Sequence, residues 1–387
     1  MEMKTVHIGD LGDIKTGSTP SKKNPDNYGD YALWIKPTDI NPDEKYTTVV
    51  EEMFSEKAAT DCRSRLIPAR SICVPCIGTV GTKITMTPCD CFVNQSINAI
   101  IPNEDYDNDY VYYLILNFLP NLKSINKGTA SGREYIAKSA FENIELKVHS
   151  DLEVQRKIGK ILSAYDDMID NCKKQIALIE EAAQRLYREW FVDLRFPGHE
   201  TTPVGEDGIP IDWKIVPITS IYDIHYGKTL ATKYITETGK YPVYGSSKCI
   251  GYFDKKTVDD YKVLITSRGN AGRVHRTYHK ESFVTNNSFV VDTQIDYSYI
   301  PFSYIFYSLI ELDLTRIVNG SAQQQLTNSM LEHVEVTLPT KEVLIKFGEL
   351  CNPYISLINE LTGLVAMCNT ARNELLPRLI SGQIEIE

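Results

Sequence analysis

Several things are scarce in this chain, and each scarcity excludes a class of protein. Apolar runs such as residues 299–310 fall short of the roughly 20 residues that span a bilayer. The N-terminus carries charges but no hydrophobic export segment, which points to the cytoplasm. No stretch is low-complexity or otherwise reads as disordered. Nine cysteines, an odd number scattered over the length, suit free thiols in a reducing compartment. Cys73, Cys76, Cys89 and Cys91 have a spacing compatible with a structural zinc. However, Cys73 and Cys76 lie in an apolar strand-like run, and small buried hydrophobes are the favoured reading, so no metal is expected. Enzymatic signatures are missing too. There is no Rossmann-type glycine turn with an (Asn/Asp)-Pro-Pro-(Tyr/Phe) motif, no phosphate-binding Gly-Lys-Ser/Thr loop and no His-Glu-x-x-His pair. Asn352-Pro353-Tyr354 lacks a proline and lies in a helical seam. No catalytic residue is assigned.

What is present fits two domains. The chain has 387 residues, 42% of them hydrophobic, and its net charge is -10, from 41 basic and 51 acidic residues. That balance argues against nonspecific nucleic-acid coating, but the charges are unevenly placed. Between Asp61 and Asp90 there is no acidic residue, while Arg63, Arg65, Arg70 and Lys83 occur there. A second acid-free window, between Tyr261 and Lys280, holds Lys262, Arg268, Arg273, Arg276 and Lys280 with His275 and His279. Such windows suggest local phosphate-facing surfaces.

The windows occupy equivalent places in an internal repeat. Residues 8–17, IGDLGDIKTG, recur at 218–227 as ITSIYDIHYG, and Gly78-x-x-Gly81 recurs as Gly269-x-x-Gly272. Phe92-Val93-Asn94-Gln95-Ser96 recurs as Phe283-Val284-Thr285-Asn286-Asn287-Ser288, read with one insertion. Residues 127–130 pair with 319–322, and 139–146 with 329–336. Each copy ends in a heptad seam. The first runs through Ile158, Leu162, Tyr165, Ile169, Cys172, Ile176, Ile179, Ala183, Leu186 and Trp190. The second runs through Phe347, Cys351, Tyr354, Ile358, Leu361, Val365, Cys368, Arg372, Leu375 and Leu379, with Arg372 breaking its polarity. Pro353 should kink or delay the second helix, and Asp166 and Asp167 are read as a solvated polar side. Two matched seams are expected to pair as an antiparallel rod of roughly 50 Å, holding two β-rich domains apart about a pseudo-two-fold axis.

Thr16-Gly17-Ser18-Thr19-Pro20 with Trp34-Ile35-Lys36-Pro37-Thr38-Asp39-Ile40 opens the first copy. Residues 187–192 with Arg195-Phe196-Pro197-Gly198 close the first helix, and residues 375–382 close the second. On these residues and the duplicated frame, the whole chain resembles the specificity subunits of Type I restriction-modification enzymes. The second copy has no Trp-Ile-Lys-Pro counterpart in its sequence. The resemblance implies an α+β fold of two β-rich target-recognition domains separated by two long antiparallel coiled-coil helices. The segments are 1–150 for the first recognition domain, 151–196 for the central helix, 197–212 for a linker, 213–340 for the second recognition domain and 341–387 for the C-terminal helix and tail. It also implies a non-catalytic subunit whose domains each read one half of a bipartite site in double-stranded DNA. The helices would set the spacer and dock two methyltransferase subunits, and restriction subunits could join as further partners. S-adenosylmethionine, ATP and Mg belong to those partners; no cofactor is expected here.

Polar and basic residues on the recurring turns are the expected DNA contacts. In the first domain these are Lys36, Thr38, Thr79, Lys83, Ser131 and Arg133. In the second they are Lys228, Ser246, Ser247, Lys248, Arg268, Asn270, Arg273, Gln323, Gln324 and Gln325. Two readings compete: a coiled-coil adaptor that binds only proteins, and a recognition subunit serving a different or orphan methyltransferase.

Overall fold

The structure, a computed structural model, describes residues 2–125, 134–318 and 325–386. The chain divides into two compact units, one made of residues 1–171 with 365–387 and the other of residues 172–364.

In the first unit a four-stranded antiparallel sheet runs in the order Gly12–Thr16, Ile97–Pro102, Ile72–Pro75, Thr85–Met86. Alternation along Ile72–Pro75 divides the core. Ile72 and Val74 join the cluster beneath the helix Asn108–Phe118, while Cys73 packs on the opposite face with Cys91 and Val93. Cys76 lies with Ile72 and Val74, so Cys73 and Cys76 point away from one another and Cys89 is exposed. Burial raises the Cys73 and Cys76 thiols to about 12, as expected of inert hydrophobes. A smaller sheet pairs Ala32–Ile35 with Phe92–Val93 in parallel, and a third pairs Met3–His7 with Glu145–His149.

The second unit repeats this plan, strand for strand in the main sheet and with three strands against four in the smaller one. Its main sheet runs Tyr222–Tyr226, Ser288–Thr293, Val263–Thr266, Val274–Arg276. Tyr241–Tyr244 pairs in parallel with Phe283–Val284, and Lys214–Pro217 pairs with Glu335–Leu338. Register makes the repeat explicit. Ile100 faces both Ile14 and Ile72, and Val291 faces both Ile224 and Val263. Two sequence readings change as a result. The parallel pairs Ile35 with Val93 and Tyr244 with Val284 make Tyr241-Pro242-Val243-Tyr244 the positional counterpart of Ala32-Leu33-Trp34-Ile35, with different side chains. The Gly17 N–H donates to the Ile97 carbonyl and the Gly227 N–H to that of Ser288, so Asn94-Gln95-Ser96 matches Thr285-Asn286-Asn287 without an insertion.

Two forty-residue helices, Leu152–Phe191 and Lys341–Ile380, contribute a segment to each unit. The second passes through Pro353 and begins twelve residues before it, so the proline does not delay it. Pro353 lies on the exposed side, where water can satisfy the carbonyl that loses its N–H partner. The seam also shifts there. Tyr354 is exposed and Ile355 takes its buried place.

Within the first unit, Ile158 and Leu162 of one helix and Leu376 and Leu379 of the other enter a single core. The seam's polar break is compensated. Arg372 pairs with Asp166, whose other oxygen accepts from the Tyr113 hydroxyl at 2.5 Å. Asp166 is therefore buried rather than solvated, while Asp167 is exposed. Within the second unit, Tyr187, Trp190 and Phe191 pack on Phe347 and Tyr304, and Phe196 packs at a tilt against Trp213. The Arg-Phe-Pro-Gly turn is therefore an anchor that fastens the helix end. At the other helix end the His149 ring meets the Leu379 carbonyl at 2.9 Å.

Candidate nucleic-acid interface

In each unit one end of the main sheet gathers the loops that recur in both copies. Main-chain hydrogen bonds hold them together in the second unit. Lys228 N–H donates to Val284 O, Thr285 N–H to Tyr244 O, Ser267 N–H to Asn287 O and Leu326 N–H to Ser267 O. Arg268 bridges Gln325. The Ser267 hydroxyl donates to the Asn286 carbonyl and the Ser288 hydroxyl to that of Gly245. Two glycine pairs are required by this crossing. A Cβ on Gly17 would lie 1.9 Å from the Val93 carbonyl oxygen, and one on Gly227 would lie 2.4 Å from that of Thr285. Gly78 and Gly269 adopt φ of 82° and 86°, the left-handed backbone that favours glycine.

The scaffold brings Lys228, Ser246, Ser247, Lys248, Arg268, Asn270 and Gln325 onto one group of loops, with Arg273 just beyond the glycine turn. Lys228, Ser247, Lys248, Arg268, Asn270 and Arg273 are exposed, and Ser246 and Gln325 are half-buried. Lys228, Lys248, Arg268 and Arg273 form no ion pair among the described residues, so their charge is available to an anion. Two other cations of the same window are used internally. Lys262 pairs with Asp292, and buried Arg276 lies 3.6 Å from Glu180 and over the Tyr278 ring.

The first unit has the same loops with a different charge arrangement. Lys36 is half-buried between Glu51 and Glu52 at 2.7 and 2.8 Å, which neutralises it. Those two carboxylates raise its pKa against an opposing desolvation effect. Lys83 donates to the Pro37 carbonyl, Arg65 to that of Thr16, and Arg70 pairs with Asp109. Thr38 is exposed, and Thr79 sits on the glycine turn with its hydroxyl oxygen buried and unpartnered among the described residues. Ser131, Arg133, Gln323 and Gln324 lie outside the described residues. Sequence reasoning missed the loop at the floor of each cluster, residues 94–96 and 285–287. Its signal was present in the aligned Phe-Val blocks, but the presumed insertion disguised the matching amide positions.

A frame written twice, with the same loops but different side chains at the same sheet end, defines a tandem recognition protein. A family model described as Type I restriction modification DNA specificity domain matches residues 1–181 and 210–346. The chain belongs to that family and carries two target-recognition domains, on the recognition rather than the catalytic side of such a system. Among curated relatives, the MjaIX specificity subunit of Methanocaldococcus jannaschii is 26% identical over 98% of this chain and 93% of its own length. The HindI specificity subunit of Haemophilus influenzae is 32% identical over 46% of this chain and 38% of its own. The crystal structure of an S subunit from M. genitalium shares the fold, with a TM-score of 0.63 at 16% identity, covering 100% of this chain and 97% of that one. Among the described residues no helix is long and apolar enough to cross a membrane.

Proposed function

We propose that each unit reads one half of a bipartite site in double-stranded DNA through the loops at its sheet end. The observation that carries this reading is the pair of equivalent loop clusters, one of which presents four cations without carboxylate partners among the described residues. Phosphate contacts would come mainly from Lys228, Lys248, Arg268 and Arg273. Ser246, Ser247, Asn270, Gln325 and the first unit's Thr38 offer neutral donors and acceptors to base edges, while Thr79, whose hydroxyl oxygen is buried, stays in the proposal on its place in the glycine turn. Gln323, Gln324, Ser131 and Arg133 stay in the proposal on their sequence position alone. The segments proposed from sequence (1–150, 151–196, 197–212, 213–340 and 341–387) remain the functional division, with the two heptad helices setting the number of base pairs between half-sites.

The long helix Lys341–Ile380 also supports the docking of methyltransferase subunits, two per chain by the repeat. In its second-unit part Leu350, Leu357 and Leu364 recur at heptad spacing and are 50%, 42% and 37% exposed. Between Leu350 and Ala371 the only charged residue is Glu360, a composition that suits an apolar partner helix. Restriction subunits would join the same complex, in the cytoplasm.

The test is DNA binding by the full chain across a salt series. Each lost phosphate contact should lower the log–log salt slope by about 0.9, so Arg268→Ala and Arg273→Ala weaken binding and flatten the slope, whereas Lys36→Ala leaves the slope nearly unchanged. No DNA binding, even with a methyltransferase present, would favour a protein-only adaptor.

A further inference from the structure

The first unit's floor loop contains a hydrogen-bond relay that ends on an exposed side chain. Asn94 is fully committed. Its Oδ1 accepts from the Ser96 N–H at 2.8 Å, its Nδ2 donates to the Thr19 hydroxyl oxygen at 3.0 Å, and its own N–H donates to the Ile35 carbonyl at 2.9 Å. With its oxygen accepting from Asn94, Thr19 must direct its own proton onward, and it donates to Oε1 of Gln95. That fixes the orientation of the glutamine amide. Its oxygen is engaged, and its exposed NH2 group has no partner among the described residues. A side chain with several rotatable bonds is thereby held by its oxygen with both amide donors uncommitted, and part of the ordering cost of binding is met before any ligand arrives.

We propose that Gln95 is a specificity-determining residue that donates to an acceptor on a base edge, with Thr19 and Asn94 as its positioning residues. This rests on the DNA-reading function proposed above. Acceptors of the required kind in the major groove are purine N7, guanine O6 and thymine O4. Gln95 lies in the loop that crosses under Gly17, two residues before Ile97, at the sheet end where the turn at Gly78 also emerges. The matching position of the second unit is Asn286, shorter by one methylene. Thr229 and Thr285 stand there in place of Thr19 and Asn94, and no such relay forms among the described residues. The two domains thus offer different amides from the same register, as expected if they read different half-sites.

The experiment selects bound sequences from a randomised duplex pool with the full-length chain, alone and with a co-expressed methyltransferase partner. The wild type should enrich one bipartite sequence. Gln95→Ala should lose roughly tenfold of its discrimination at a single base pair of one half-site, leaving the other half-site and the salt slope unchanged. Gln95→Glu, which presents only acceptors when ionised, should disfavour that same pair. Thr19→Val should relax it in part and Thr19→Ser should restore it, a pattern that a merely structural threonine would not give. An enriched site indifferent to both Gln95 variants overturns this inference alone. Uniform weakening with a flatter salt slope also overturns it, by making Gln95 a phosphate contact. A wild-type pool without enrichment overturns the inference together with the function it rests on.

Discussion

Replacing Arg372 with alanine tests whether the polar break in the second helix holds the first unit together. Asp166 is 7% exposed and has two partners, the Arg372 guanidinium and the Tyr113 hydroxyl. Removing the arginine leaves a buried carboxylate with one neutral donor. Breaking a buried pair on one side costs about 3–5 kcal/mol. The low end applies because the arginine side chain keeps 16% exposure and borders an open cleft of about 300 Å³ lined by Lys45, Tyr112 and Leu376, so its removal opens the carboxylate's arginine side towards solvent. A loss of about 3 kcal/mol corresponds to roughly hundredfold faster amide hydrogen exchange where exchange follows opening of the unit. Peptides from residues 152–171 and 365–380 should show it, while strand residues 288–293 in the second unit should not. The double variant Asp166→Leu with Arg372→Leu removes both charges and orphans only the tyrosine hydroxyl, so its cost should fall to about 1 kcal/mol. Less than fivefold acceleration in the single variant, or a double variant as damaged as the single one, would refute the reasoning.

Other perturbations have equally definite outcomes. Burial depresses His275 to about 4, so the fold favours its neutral form. The stability this confers is complete above the unfolded value near 6.5 and is lost as pH falls from there towards 4, by about 2 kcal/mol at pH 5. Urea midpoints between pH 7 and 5 should show the loss, and His275→Leu should reduce it. Gly227→Ala forces a Cβ to 2.4 Å from a carbonyl oxygen; a thermal scan should show a destabilisation of about 1–3 kcal/mol. Removing one heptad from either long helix should change the tolerated gap between half-sites or abolish assembly, as methylation mapping would reveal. An unchanged site in an active complex would count against the helices as a ruler.

Much of the fold was legible because duplication prints the same pattern twice. The Ile-Gly-Asp-Leu block, the Gly-x-x-Gly turns and the Phe-Val blocks fall on matching strands and turns of the two units. Periodicity showed the seams but could not decide between Tyr354 and Ile355, since neighbouring residues differ in facing by only about 100° and a partner helix makes the choice. Asp166 was misread for a related reason. Its polarity suggested solvent, and only the positions of Tyr113 and Arg372, distant in sequence, reveal a buried acceptor. The counterpart of Trp34-Ile35 was invisible because parallel pairing fixes backbone position without fixing side-chain type.

The basic windows show most clearly where sequence reading stops. Composition treats Arg70 and Arg268 alike, yet Arg70 is bound to Asp109, whereas Arg268 reaches solvent beside Gln325. Among the described residues, four cations without carboxylate partners stand at or beside the second unit's reading loops, whereas in the first unit Lys36 and Arg70 are ion-paired and Arg65 and Lys83 keep their charge while donating to main-chain carbonyls. Phosphate attraction acts over a Debye length of about 8 Å in physiological salt, and amide contacts act only on touching. The four unpaired cations of the second unit are therefore suited to the salt-dependent grip, and the Gln95 amide of the first to selectivity. If so, neutralising the second unit's cations should abolish binding to any sequence, whereas removing Gln95 should leave affinity for random DNA intact and cost only discrimination.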